Sequence, residues 1–236
     1  MANAGPEVYI GAMADTTDWA ADAESRLLEA ALPLAAELGW NSRLVRRAGQ
    51  ATGLSVPEVE LLLPGGARDL AALFSYRHDE AALTALSAVD PAALKIRERI
   101  ARGVEARVEA AAADEPASRS WMGYLALPQN LALGGRLFWS SADVIWRWAG
   151  DASTDVNHYS KRAILAGLLS STLAVRMSNT PAAAQTHLER GIEAVMSFEK
   201  MKARFGPRPF AAAAAEALGR LRYGARPGGR DPATPA

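Results

Sequence analysis

Apolar residues recur at intervals of three and four along almost the whole chain, and this period predicts an all-helical protein. Between residues 18 and 38, Leu27, Leu28 and Ala31 fall on one face, and Gly39 follows as a C-terminal stop. Proline and glycine mark most breaks between segments. The predicted helices cover residues 18–38, 42–52, a short segment from Ser55 to the break at 64–66, 67–87, 90–113, 116 to the break at 128, 130–148, 154–178, 181–204 and 210–223.

Composition agrees with this pattern and removes several classes of protein. Half of the 236 residues are hydrophobic, which is enough for a substantial core. The absence of cysteine excludes disulfides, thiolate catalysis and cysteine-based metal sites. No stretch reaches the roughly 18 apolar residues of a membrane span. Residues 1–18 carry three acids and no base, which is typical neither of a secretory signal nor of a transit peptide, so we expect a cytoplasmic protein.

The formal net charge of zero conceals an asymmetry. The segment from Lys200 to Ala236 has eight bases and two acids, so the rest of the chain is acidic. A basic tail on an acidic body favours contact with anionic lipid or another acidic surface. A solvated tail is the alternative.

Three short helices separated by Gly39 and Gly53 resemble the N-terminal domain of the tetracycline-repressor family over about residues 25–76. The resemblance implies a ligand-responsive transcriptional regulator as an alternative function. The third helix, Val56–Leu63, has two carboxylates and neither a base nor an amide, whereas readout of DNA requires such donors. Three arginines on the second helix, at 43, 46 and 47, could contact phosphate without reading sequence. We therefore expect no specific nucleic-acid binding.

The most distinctive stretch of the chain lies in its second half. Residues 127–130 read Leu-Pro-Gln-Asn, residues 143–151 read Asp-Val-Ile-Trp-Arg-Trp-Ala-Gly-Asp, and residues 153–163 read Ser-Thr-Asp-Val-Asn-His-Tyr-Ser-Lys-Arg-Ala. This arrangement resembles the lipid-binding accessory family of ubiquinone biosynthesis. With the repressor-like N-terminus, the resemblance covers most of residues 25–205.

The resemblance implies a repressor-like fold that holds an isoprenoid quinone intermediate or a phospholipid and presents the intermediate to demethoxyubiquinone hydroxylase. It also implies a surface that meets this hydroxylase, in which His158 replaces an aromatic residue common in the family. Trp146 and Trp148 lie about 200° apart on a helix, so one is expected to face inward and the other outward. Partial burial at a helix end is the alternative. The implied partner-binding residues are Asp143, Ile145, Trp146, Asp155, His158 and Tyr159.

Two neighbouring helices, 130–148 and 158–178, are too apolar for surface helices, and small residues such as Gly134 and Gly167 lie between their large side chains. This pattern suits a lipid cavity, although a tightly packed core with close helix approach is the alternative. The candidate lipid-binding residues are Leu133, Leu137, Phe138, Leu165, Leu168, Leu169 and Leu173.

The last predicted helix is amphipathic and suits the interface of a bilayer, with weak and salt-sensitive binding. Docking of this helix on the body or on a second copy is the alternative. Its candidate membrane-binding residues are Phe210, Leu218, Leu221, Arg220 and Arg222.

Catalytic motifs are missing from the sequence. None of the three histidines follows a glutamate by three residues, as a di-iron hydroxylase requires, and nucleotide-binding and nucleophile-elbow motifs are absent. We therefore expect a non-enzymatic protein without metal or cofactor, dimeric like repressor-fold proteins and peripherally associated with the inner membrane. The predicted organisation is a flexible N-terminus (1–17), a degenerate helix-turn-helix-like domain (18–66), a lipid-binding helical domain (67–205), an amphipathic helix (206–223) and a disordered tail (224–236).

Overall fold

A computed structural model describes residues 7–151 and 156–205 of the chain. Within these ranges the protein is all-helical, as predicted, with two short 3₁₀ turns at Pro91–Ala93 and Pro128–Asn130. The α-helices are α1 Glu7–Leu38, α2 Ser42–Thr52, α3 Val56–Leu62, α4 Ala67–Leu86, α5 Ile96–Ala113, α6 Glu115–Leu125, α7 Leu131–Trp148, α8 Val156–Ser178 and α9 Pro181–Phe205.

Local signals set most of the helix boundaries. The Asn41 side chain accepts hydrogen bonds from the backbone N–H of Arg43 and Leu44, which begins α2, and Gly53 ends it with a φ of 72°. The predicted capping box of α3 is present, because Ser55 and Glu58 exchange side-chain and backbone hydrogen bonds.

Two helix starts differ from prediction. Helix α1 begins at Glu7 rather than near Asp18. The helix predicted from residue 90 is interrupted, because Leu94 and Lys95 adopt extended backbone between the 3₁₀ turn and α5.

Aromatic side chains join the three N-terminal helices to the helices that follow. Phe74 in α4 packs against Trp40 and against Trp121 of α6, with ring centroids 4.9 and 5.9 Å apart. The Trp121 indole is fully buried and donates to the carbonyl of Ala71 at 2.9 Å. Residues on both sides of the predicted domain boundary at residue 66 therefore share one compact unit, which ends at Glu189; a second begins at Arg190.

Helices α5 and α7 pack against each other, and each of them also packs against α4 and α8. A buried ion pair joins three of them, since Arg107 Nε of α5 donates to Asp79 Oδ1 of α4 at 2.6 Å, and the Ser141 hydroxyl of α7 donates to the same oxygen at 2.6 Å. Among the described residues, no helix combines the length and apolar character needed to cross a bilayer.

Candidate functional site

An ion-pair network connects the end of α7 to the beginning of α8. The Arg162 side chain is only 2% exposed, and it donates from Nε to Asp143 Oδ1 at 2.5 Å and from Nη1 to Asp151 Oδ2 at 3.2 Å. Lys161 Nζ reaches the other Asp151 oxygen at 2.8 Å, and Arg147 contacts the second oxygen of Asp143 at 2.8 Å. The distinctive Trp-Arg-Trp-Ala-Gly-Asp and Lys-Arg-Ala segments thus hold one helix junction together.

Aromatic rings lie beside this network. The Trp146 indole donates to the carbonyl of Lys161 at 3.2 Å, and the Lys161 ammonium lies 5.3 Å from the Trp146 ring centroid. The rings of Trp139 and Tyr159 are 6.1 Å apart, and Tyr159 is 64% exposed. The prediction of one inward and one outward tryptophan is wrong, because Trp146 and Trp148 are both half-buried. Contacts from α8 cover part of the Trp146 ring.

The predicted partner-binding residues are therefore not one continuous surface. Asp143 is mostly buried in ion pairs, while Trp146 and Tyr159 reach solvent to different extents. Ile145 is 2% exposed and belongs to the core, which corrects its assignment to the partner surface. Its side chain packs where Gly103 of α5 leaves no Cβ, so it faces the neighbouring helix instead of solvent. Asp155 and the His158 side chain lie outside the described residues.

Most predicted lipid-binding side chains are buried between helices. Of this set, only Leu168 is partly exposed, and α8 packs against α7, α5 and α6. The small residues between them have separate roles: a Cβ on Gly134 would meet Leu125 at 3.5 Å, whereas Gly167 is exposed with open space around it. Gly167 therefore does not leave room between α7 and α8. The buried residues are Leu133, Leu137, Phe138, Leu165, Leu169 and Leu173.

A partly open cavity of about 450 Å³ lies beside α7, where α1, α4 and the end of α3 approach it. Leu133 and Leu137 form part of its wall, so two of the predicted lipid-binding residues do line a cavity. The other lining residues were not predicted, although the Pro-Gly-Gly break at 64–66 marks the bend beside them. They are Glu24, Leu62, Leu63, Pro64, Arg68, Asp69, Ala72, Leu73, Tyr76 and Arg136.

The cavity lining is amphipathic. Leucines from three helices supply apolar wall, and two acids, two arginines and a tyrosine supply polar groups. Partial burial, followed by the charge of Asp69, raises the pKa of Glu24. Such a lining can hold a molecule with an apolar chain and a polar end.

The predicted membrane-binding helix cannot be placed on this framework. Phe210, Leu218, Arg220, Leu221 and Arg222 lie outside the described residues, as do the predicted segments 206–223 and 224–236.

The fold and these sites define an all-helical protein with an amphipathic cavity and an aromatic, ion-paired helix junction. Residues 131–199, which include both helices of that junction, match the COQ9 family. The chain is 30% identical over 168 residues to the rat ubiquinone biosynthesis protein COQ9, mitochondrial. It is 26% identical over 170 residues to the Xenopus tropicalis protein and 28% identical over 168 residues to the human protein of the same name.

Together these matches show that the chain is similar to the COQ9 family, most specifically over residues 131–199. Each of the three alignments covers 66% of this chain. They cover 52% of the rat protein and 51% of the other two, so the chain spans about half the length of these relatives.

Proposed function

We propose that this chain is a non-enzymatic accessory protein of ubiquinone biosynthesis, which binds an isoprenoid quinone intermediate and presents it to demethoxyubiquinone hydroxylase. The observation that carries the proposal is the cavity beside α7, since this helix belongs to the segment that matches the COQ9 family. The relatives are ubiquinone biosynthesis proteins, and this supplies the pathway. In this proposal the protein acts as a homodimer, which sedimentation tests, and associates peripherally with a membrane.

The size and lining of the cavity support a lipid ligand. Its volume of about 450 Å³ lies within the range typical of small-molecule sites. Leu73, Leu133 and Leu137 offer apolar contact for an isoprenoid chain. Arg68 and Arg136 offer hydrogen-bond donors to oxygens of a ring or headgroup.

The helix junction supports a partner surface. Exposed tyrosine and tryptophan are enriched among the residues that dominate binding energy at interfaces. Tyr159 is exposed beside Trp139, and the buried Arg162 holds the junction with two carboxylates. Aromatic side chains lose little conformational entropy on docking, so we assign the hydroxylase contact to the exposed Tyr159, together with the half-buried Trp146.

Lipid binding is tested by filling the cavity. Ala72 lines it, whereas Ala81 lies on the exposed side of the same helix, so Ala72→Phe and Ala81→Phe form a matched pair. Organic extraction and mass spectrometry of purified protein should detect isoprenoid lipid in the wild type and in Ala81→Phe, and much less in Ala72→Phe. Lipid-free wild-type protein, or equal retention by both variants, would contradict the cavity assignment.

Partner binding is tested by capture of purified hydroxylase. Tyr159→Ala and Trp146→Lys should weaken capture, while Trp19→Ala, which removes a partly exposed aromatic residue from α1, should not. Circular dichroism checks that each variant is folded. Undiminished capture by both junction variants would refute this docking surface.

A further inference from the structure

Helix α2 presents an outer face that is entirely basic or neutral. Arg43, Arg46, Arg47 and Gln50 are exposed and follow the spacing of a single helical face. The opposite face packs into the protein, so the arginines project away from the body. The buried residues of α2 are Leu44, Val45, Ala48 and Gly49.

In the part of the chain that the structure describes, no acid pairs with this face. Helix α2 contains no acidic residue, and no carboxylate among the described residues lies within ion-pair distance of these three guanidinium groups. Some surface arginines elsewhere are paired with acids, such as Arg26 with Asp22 at 3.0 Å and Arg119 with Glu115 at 2.6 Å. Since the whole chain has no net charge, the positive potential of α2 is a local feature.

The helix that follows decides which anionic surface fits. Helix α3 packs on α2 through Val59 and Gly49, and it carries the acids Glu58 and Glu60 and no base. In a helix-turn-helix motif the second helix inserts into the DNA groove. If α2 and α3 bound DNA in this way, the acids of α3 would have to enter the groove. A planar bilayer requires contact only with the protruding basic helix, and it also tolerates the 68% exposed Val56 at the start of α3.

We propose that the basic face of α2 docks on the anionic headgroups of a phospholipid bilayer. Arg43, Arg46 and Arg47 bind lipid phosphates, which orients the protein on the membrane. This contact is separate from the predicted C-terminal helix and does not depend on a ligand in the cavity. Because surface charges are screened within a Debye length, binding is strongest at low salt.

Vesicle flotation of the full chain tests the proposal. Vesicles of equal parts phosphatidylcholine and phosphatidylglycerol are compared with pure phosphatidylcholine. The test variant is Arg43→Gln/Arg46→Gln/Arg47→Gln. The control variant, Arg26→Gln/Arg102→Gln/Arg119→Gln, changes net charge equally but removes arginines that already have acidic partners.

At low salt the test variant should lose on the order of a hundredfold in affinity for the anionic vesicles, the combined effect of three surface-proximal bases. The control variant should bind within a few-fold of the wild type, and high salt should abolish the difference. Equal binding by the two variants would overturn the proposal, as would tighter α2-dependent binding to duplex DNA than to vesicles.

Discussion

The contact between Gly103 of α5 and Ile145 of α7 leads to a sharp stability prediction. Gly103 is buried, and a Cβ placed on it would overlap Cγ2 of Ile145. The glycine is therefore required by the close approach of two helices rather than by its backbone conformation. Gly103→Ala should force α5 and α7 apart or push Ile145 out of its rotamer.

The free energies predict that the effect of Gly103→Ala on stability changes sign when Ile145 is replaced by alanine. Overpacking costs about 1–3 kcal/mol, while replacing glycine by alanine inside a helix gains about 1 kcal/mol, so Gly103→Ala should destabilise the wild type by roughly 1 kcal/mol. Ile145→Ala should cost about 2–5 kcal/mol because it leaves a cavity. In that background the clash is gone, so Gly103→Ala should stabilise by roughly 1 kcal/mol.

Urea unfolding followed by circular dichroism measures all four proteins of this double-mutant cycle. Gly123→Ala is the matched control, because Gly123 is an exposed helical glycine with no atom within 4 Å of a built Cβ. It should stabilise both backgrounds by about 1 kcal/mol. If Gly103→Ala had the same sign in both backgrounds, the assignment of Ile145 to the core contact would be refuted.

Three further predictions concern buried charges. Burial, followed by the charge of Arg107, lowers the pKa of His78 to about 4; the unfolded chain, with a histidine pKa of about 6.5, binds the proton more tightly. The free energy of unfolding of the wild type should therefore fall by about 3 kcal/mol as the pH drops from 6.5 to 4, and that of His78→Gln should fall less. Equal pH profiles for the two proteins would contradict this assignment. Arg107→Met should cost about 3–5 kcal/mol by leaving Asp79 buried and unpaired, and adding Asp79→Leu should recover much of the loss in urea unfolding. Arg162→Met should destabilise the protein by about 3 kcal/mol because Arg162 is buried. Arg147 is 75% exposed, so Arg147→Met should change stability by less than about 1 kcal/mol. Similar values for the two variants would contradict a buried network.

Local sequence was sufficient for most of the helices. Ser42–Thr52 has the predicted bounds, and the Ser55–Glu58 capping box is present because both interactions join residues three positions apart. Proline and glycine positions also located the breaks on either side of α4 and before α9. The break at Leu94–Lys95 had no such local signal, and it was missed.

Only the tertiary structure decided which apolar residues face the core, the cavity or solvent. Periodicity placed Ile145 and Gly167 on helices, but packing against α5 buries Ile145, whereas no neighbouring atom covers Gly167. Likewise, the cavity wall combines α1, α4 and α7, which are far apart in sequence. Arg162 meets two carboxylates that lie 19 and 11 positions earlier in the chain. Such pairings depend on how whole helix faces pack against each other, because a residue's own helical period specifies its direction but not the neighbour it meets.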